Sequence, residues 1–357
     1  MKKIIILLTS ILLLGGCYDN IELNQLYIVT GIGIDYHDDY YYVTYEILNS
    51  NKEGDSVSTG NLVVSGRGKT INNAFFDVNR LVNKKPFFSH LKTVVLKDTI
   101  EKKHLKEVVE FLIRKNDVRD EFNLVYTDSD IEELFTNTND TIKVVSLEIN
   151  ELLNNGNNTI NPAINEPFEN TLSKIISKKQ DIILNNIIIE DKTTKINGSY
   201  IFNNYNIVDK INNDEAYIYL LLNNEARSSS FNTKYKDGFL GISVTDSKID
   251  YSIKNNTIEV TGKINALLTN NTSDLDLTKY KSLRKINSRF KHILEKDIED
   301  FIKKLQNNES DILGLTKKYY KQTKIDDKNL WKYLDISINI DLTVNRKGLI
   351  FGVDDEK

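Results

Sequence analysis

Ile336-Ser337-Ile338-Asn339-Ile340-Asp341-Leu342-Thr343-Val344-Asn345 sets five aliphatic side chains on alternate positions, with polar ones between. A period of two is that of a strand with one buried face. Upstream, Ile286, Phe290, Ile293, Leu294, Ile298, Phe301, Ile302 and Leu305 recur at spacings of three and four, the apolar stripe of one long amphipathic helix. A half-polar strand beside a long covering helix predicts an α+β layer, with a C-terminal antiparallel sheet packed against long helices.

Working outward, Ile258, Val260, Gly262, Ile264, Ala266 and Leu268 alternate with Glu259, Thr261, Lys263 and Asn265 as a second half-buried strand. Ser310 is placed to cap a shorter helix running to Tyr320. Gly198–Phe202 and Tyr205–Val208 predict a hairpin about Asn203-Asn204. These elements make a C-terminal α+β domain over residues 195–357.

Strands and helices alternate in the N-terminal half, which predicts an α/β domain over residues 17–190. Tyr27–Asp35 reads as a strand, and Tyr41, Val43, Tyr45 and Ile47 mark a second with one buried face. Leu62–Val64 reads as a short strand leading to Thr70, an N-cap for a helix carrying Ile71, Ala74, Phe75, Val78 and Leu81. Phe87–Leu96 reads as a buried strand, Leu105–Ile113 as a helix and Phe122–Tyr126 as a strand. Residues 136–190 either close this domain or form a small one of their own, and the sequence leaves both open. The fold class is therefore α+β and multi-domain, with mixed sheets and covering helices.

The amino-terminal end has a different character. Met1-Lys2-Lys3 precedes an apolar run from Ile4 to Leu14, shorter than the about 20 residues needed to span a bilayer. Basic flank, apolar length and small-residue exit match a secretory signal over residues 1–16. Leu14-Gly15-Gly16-Cys17 has the lipobox pattern, which predicts cleavage between Gly16 and Cys17 and a diacylglyceryl group on the Cys17 thiol. Anchoring by acyl chains lays the protein on a membrane's outer surface rather than across it. Cys17 is also the one cysteine, so no disulfide is expected.

Loss of Lys2 and Lys3 with the signal takes 47 basic side chains to 45 against 51 acidic ones, a balance of −6. That charge argues against nucleic acid as a partner, since phosphate neutralisation needs a basic patch. Gly66-Arg67-Gly68-Lys69-Thr70 resembles a phosphate loop, but the glycine required five positions before Gly68 is Val63. His37, His90, His104 and His292 show no metal-ligand spacing, and no serine sits in a Gly-x-Ser-x-Gly elbow. No enzyme activity and no cofactor are expected.

Five stretches together resemble the Ger(x)C lipoprotein family, the C subunits of spore germinant receptors. They are Cys17-Tyr18-Asp19 with Glu22 and Val29–Asp35; Ser65–Thr70; Phe87-Phe88-Ser89-His90-Leu91-Lys92; Phe111–Arg119; and Ser310–Leu315 with Trp331 and Arg346-Lys347-Gly348. The family commonly has tryptophan where this chain has Tyr18. The resemblance implies a non-catalytic subunit at the outer surface of the spore inner membrane. It would work beside multi-pass A and B subunits in triggering germination by nutrients. Arg67, Lys69, His90, Arg114 and Arg119 are then candidates for the partner surface, or equally helix caps and ion-pair members. An alternative is a solute-binding lipoprotein that captures a nutrient directly, which calls for two similar lobes around a cleft.

Overall fold

The computed structural model describes residues 23–53, 56–155, 161–226, 229–277, 279–325, 327 and 329–346. The first sheet starts as an antiparallel meander of β1 (Leu26–His37), β2 (Tyr40–Glu53) and β3 (Ser56–Gly68). Asp38 and Asp39, both at positive φ, make the tight first turn. α1 (Ile71–Leu81) leads to β4 (Lys85–Phe87), which pairs in parallel with the start of β1. β5 (Thr93–Lys97), α2 (Lys103–Arg114) and β6 (Asn123–Thr127) continue the sheet in parallel. α3 (Ile131–Thr136), α4 (Val145–Asn154) and α5 (Phe168–Ser177) then precede β7 (Ile182–Glu190), β8 (Thr193–Asn203) and β9 (Asn206–Ile211). The strand order is β3-β2-β1-β5-β6-β7-β8-β9, with β4 beside β1.

α1 and α2 bury Phe75, Val78, Val108 and Leu112 on one face of this sheet, against Ile32, Val43 and Leu124. α3 and α4 bury Phe135 and Ile149 on the other face, against Val95 and Val125. Strand β2 was expected to hide one face, yet Thr44 and Glu46 are buried as well as Tyr45. Coverage by α3 and α4 is the cause, and helices that arrive a hundred residues later leave no mark on the local alternation.

Three further expectations change. The strand read at Leu62–Val64 extends over the whole of β3. The strand read from Phe87 to Leu96 is broken, because Leu91 N donates to Phe88 O at 2.9 Å in a turn before β5. Residues 195–211, placed by sequence in the C-terminal domain, hydrogen-bond into the first sheet. Asp191 and Lys192, both at positive φ, fold β8 back on β7, so the sheet does not end there.

The second sheet contains β10 (Ser230–Tyr235), β11 (Gly238–Lys254), β12 (Thr257–Asn271) and β13 (Asp335–Arg346), in that order. α6 (Asn213–Leu222) precedes it; α7 (Tyr280–Asn307) and α8 (Leu315–Thr323) lie between β12 and β13. The long helix falls where its spacing predicts and buries Ile286, Phe290, Leu294, Ile298, Phe301, Ile302 and Leu305. The sheet is mixed, however, since β13 joins β12 in parallel. α7 carries the chain back along the strands, so β13 starts from the same end as β12, as a crossover requires. β13 is an edge strand, and α7 occupies some of its outward amides: Ile340 N donates to Glu295 Oε1 at 3.1 Å and Val344 N to Asn287 Oδ1 at 2.9 Å.

Hairpin strands β7, β8 and β9 serve both halves. Ile182, Leu184 and Phe202 face the first core, whereas Ile183, Ile201 and Ile211 join Leu240, Ile258 and Phe290 in the second. Side-chain alternation along a strand lets one hairpin do this.

Candidate partner surface and interdomain cleft

The five candidate surface residues divide between the two ends of the first sheet. Arg67 opposes Tyr42 next to the β1–β2 turn. Lys69 Nζ lies 4.0 Å, and the Arg67 guanidinium 5.4 Å, from the Tyr40 ring centre. His90 sits in the turn before β5, with its ring 5.9 Å from that of Phe87. Arg114 ends α2 and bonds Glu110 at 3.4 Å, while exposed Arg119 precedes β6. His90, Arg114 and Arg119 thus share the end where β1, β5 and β6 begin, and Arg67 and Lys69 share the other. Gly16 and Cys17 lie outside the described residues.

The phosphate-loop look-alike is packing. Thr70 caps α1, its Oγ1 accepting from Asn73 N at 3.2 Å. A Cβ on Gly66 would stand 2.6 Å from Val78 N, and one on Gly68 2.5 Å from Ala74 N. The glycines let the backbone of α1 lie directly on β3. Histidines are used structurally too: His104 stacks on Tyr36 at 3.7 Å and bonds the Tyr41 hydroxyl at 2.9 Å. Tyr41 also donates to Glu107, and burial with that carboxylate beside it pushes the phenol far above its ordinary range. Among the described residues no cluster of three or more His, Cys, Asp or Glu could hold a metal ion, and no helix is long and apolar enough to cross a membrane.

Two buried carboxylates take on capping duties. Helix α4 has Val144 at its N-cap and no cap of its own. Glu46, fully buried on β2, accepts from Val145 N and Ser146 N at 2.7 Å each, and from Asn61 Nδ2 at 2.7 Å. Burial raises this carboxyl's pKa, and the donors from Ser146, Asn61 and Val145 oppose the rise. Helix α8 starts after Gly314, which is left-handed at φ +69° and bears no cap. Asp311 supplies one instead, accepting from Leu315 N at 2.8 Å and Thr316 N at 2.7 Å. Ser310, expected to cap this helix, is buried four residues before its N-cap position, too far to reach its free amides.

Asp311 also marks the joint between the halves. Asp181 N donates to Asp311 O at 3.0 Å, and Asp311 N returns a bond to Asp181 Oδ2 at 2.7 Å. Gln180 Nε2 reaches Ile312 O at 2.9 Å, and Asn203 Nδ2 reaches Glu309 O at 3.0 Å. Beside these bonds opens a cleft of about 590 Å³, lined by Lys178, Gln180, Asn204, Tyr205, Trp331 and Lys332 among others. Lys332 is held by Glu309 at 2.8 Å, and Lys179 lies 3.1 Å over the Tyr320 ring. Sequence reasoning missed this cleft. Its one signal was Ser310–Leu315, an aspartate three residues before a glycine within an apolar run.

Two mixed sheets whose cores share the side chains of β7, β8 and β9, each covered by helices, define the fold class, which is also that of the GerBC protein. Its crystal structure matches with a TM-score of 0.55 at 18% identity, covering 88% of this chain and 96% of that one. Family models for the spore germination protein N-terminal domain and the spore germination B3/GerAC-like C-terminal region match residues 19–189 and 197–348. The chain belongs to the GerAC-like spore germination protein family. Spore germination protein KC of Bacillus subtilis (strain 168) is 24% identical over 97% of this chain and 95% of its own length. GerQC of Bacillus cereus is 21% identical, covering 72% of this chain and 75% of its own. The protein's role therefore lies in spore germination, within the germinant receptor system.

Proposed function

We propose that this protein is a non-catalytic, lipid-anchored subunit of a nutrient germinant receptor. It is held by Cys17 at the outer surface of the spore inner membrane and docks onto multi-pass A and B subunits. The observation that carries this reading is coverage: both family models match in order and together take in nearly all of the chain after Cys17. Support also comes from how the polar groups are employed. Buried Glu46 and Asp311 hold helix ends, and His104 completes an aromatic cluster.

Affinity capture of the intact protein from detergent-solubilised spore inner membranes tests the proposal, with Cys17→Ala as control. Two multi-pass proteins are expected, reduced or lost for the variant. Recovery of neither, from membranes that contain the protein, overturns stable assembly. The solute-binding reading has one observation in its favour, the cleft beside the Asp181–Asp311 joint. Calorimetry of the purified protein with amino acids and other nutrients decides that point, since saturable binding lost in Lys178→Glu would assign the cleft to a nutrient.

A further inference from the structure

Between Asp77 and Asp98 the chain carries Arg80, Lys84, Lys85, Lys92 and Lys97 and no carboxylate, in a protein with an acidic excess overall. Arg80, Lys84 and Lys85 are exposed at the end of α1, in the turn after it and at the start of β4. β4 places them beside the first residues of β1, with Leu26 opposite Lys85, Tyr27 opposite Pro86 and Ile28 opposite Phe87. None of the three forms an ion pair among the described residues, and neither does Lys92. The cations of α2, by contrast, are paired: Lys103 with Glu107, and Lys106 and Arg114 with Glu110.

Apolar and aromatic groups complete the patch. Leu81 is 61% exposed at the end of α1. Lys84 Nζ lies 5.3 Å over the Tyr27 ring, and the Tyr27 hydroxyl donates to Asn83 Oδ1 at 2.7 Å. Lysine and arginine around a tyrosine and a leucine is the composition that partitions to the headgroup layer. The opposite end of the same sheet carries Asp38, Asp39, Asp98, Asp128 and Asp130 together with Arg67 and Lys69, and its Lys97 is paired with Asp98 at 2.9 Å, whereas Asp120 and Glu121, before β6, are the carboxylates on the side of the basic patch.

From these observations we infer that the end of the first sheet formed by Arg80, Leu81, Lys84, Lys85 and Tyr27 lies against anionic lipid headgroups, fixing the orientation of the chain. The inference rests on the lipid-anchor reading above. Five residues, and so six Cα–Cα steps, separate Cys17 from Leu23, where the described chain starts. Fully extended they reach about 20 Å, which holds this end of the sheet next to the bilayer. Acyl chains give the affinity, and the unpaired cations choose the face.

The unmodified chain has no cysteine but Cys17, so a nitroxide label can be placed singly in the lipidated protein as Leu81→Cys or Asp98→Cys. Each form is bound to vesicles of phosphatidylglycerol and phosphatidylcholine. The label at 81 is expected to be several-fold less accessible to a water-soluble nickel complex than the label at 98. Raised salt, or Arg80→Glu with Lys84→Glu and Lys85→Glu, should abolish that difference while the protein still floats with the vesicles. Protein that floats with both labels equally in water overturns the inference and leaves the anchor standing. Protein that does not float fails the anchor reading itself. Protection of the label at 81 only when the two multi-pass subunits are present would assign the face to them and overturn its assignment to lipid.

Discussion

Gly68→Ala adds a single methyl group at the closest approach of α1 to β3. The new Cβ would meet Ala74 N at 2.5 Å, Asn73 C at 2.6 Å and Asn73 Cβ at 2.6 Å. Two of these are backbone atoms of the first turn of α1, so no side-chain rotation relieves the contact. The helix must move off the sheet by about 1 Å to regain ordinary contact distances of roughly 3.5–4 Å. That loosens Ile71, Ala74, Phe75 and Val78, all buried on the face it presents. Overpacking of this kind costs about 1–3 kcal/mol. Gly66→Ala strikes the same helix one turn on, at Val78 N, 2.6 Å away. One outward shift of α1 relieves both contacts, so the double variant should lose less than the sum of the single losses. Urea unfolding of the two singles, the double and Gly60→Ala tests this. A Cβ on Gly60 has no atom within 4 Å, so that change should stay within about 0.5 kcal/mol of the parent. A Gly68→Ala protein as stable as the parent, or a strictly additive double, would refute the argument that these glycines exist for helix approach.

Glu46→Ala strands the amides of Val145 and Ser146 inside the protein, each at about 1–3 kcal/mol, so a loss of about 2–6 kcal/mol is expected. Hydrogen exchange checks the location, since amides at the start of α4 should exchange faster than those of α1. Trp331→Ala empties a site that is 2% exposed in the second core and should cost about 3–5 kcal/mol by chemical denaturation. Arg114→Glu replaces a cation whose side chain is 74% exposed. It should leave the unfolding midpoint unchanged while lowering recovery of the multi-pass subunits in the capture assay. Unchanged recovery and unchanged germination would remove Arg114 from the docking surface.

Periodic elements were legible and their partners were not. The stripe from Ile286 to Leu305 gives the long helix at the core positions it occupies, and Ile336 to Val344 gives its strand. Whether that strand runs parallel or antiparallel depends on what α7 does to the chain's direction, and no residue within it records the answer. The same holds for Glu46, which alternation assigns to the polar side of β2; its burial comes from helices that arrive a hundred residues later. Thr70 was readable as a cap because it lies adjacent to its helix, whereas Asp311 was not, because it caps across the left-handed Gly314. As for the site, each candidate basic residue could be named singly. Their division between two ends of a sheet is set by strand direction, which only the assembled register reveals.

The hairpin strands that serve two cores also impose an order on assembly. A chain made from its amino-terminal end can pair β7, β8 and β9 with the first sheet as soon as Ile211 is available. Ile183, Ile201 and Ile211 then wait with bare faces until Phe290, Leu342 and Val344 arrive from the far end. For that interval a half-finished protein offers a sticky, sheet-borne surface, with no disulfide to hold it. Premature termination anywhere in the second half should therefore yield an aggregate rather than a working fragment. The unit that natural selection can copy, fuse or discard is then the whole chain.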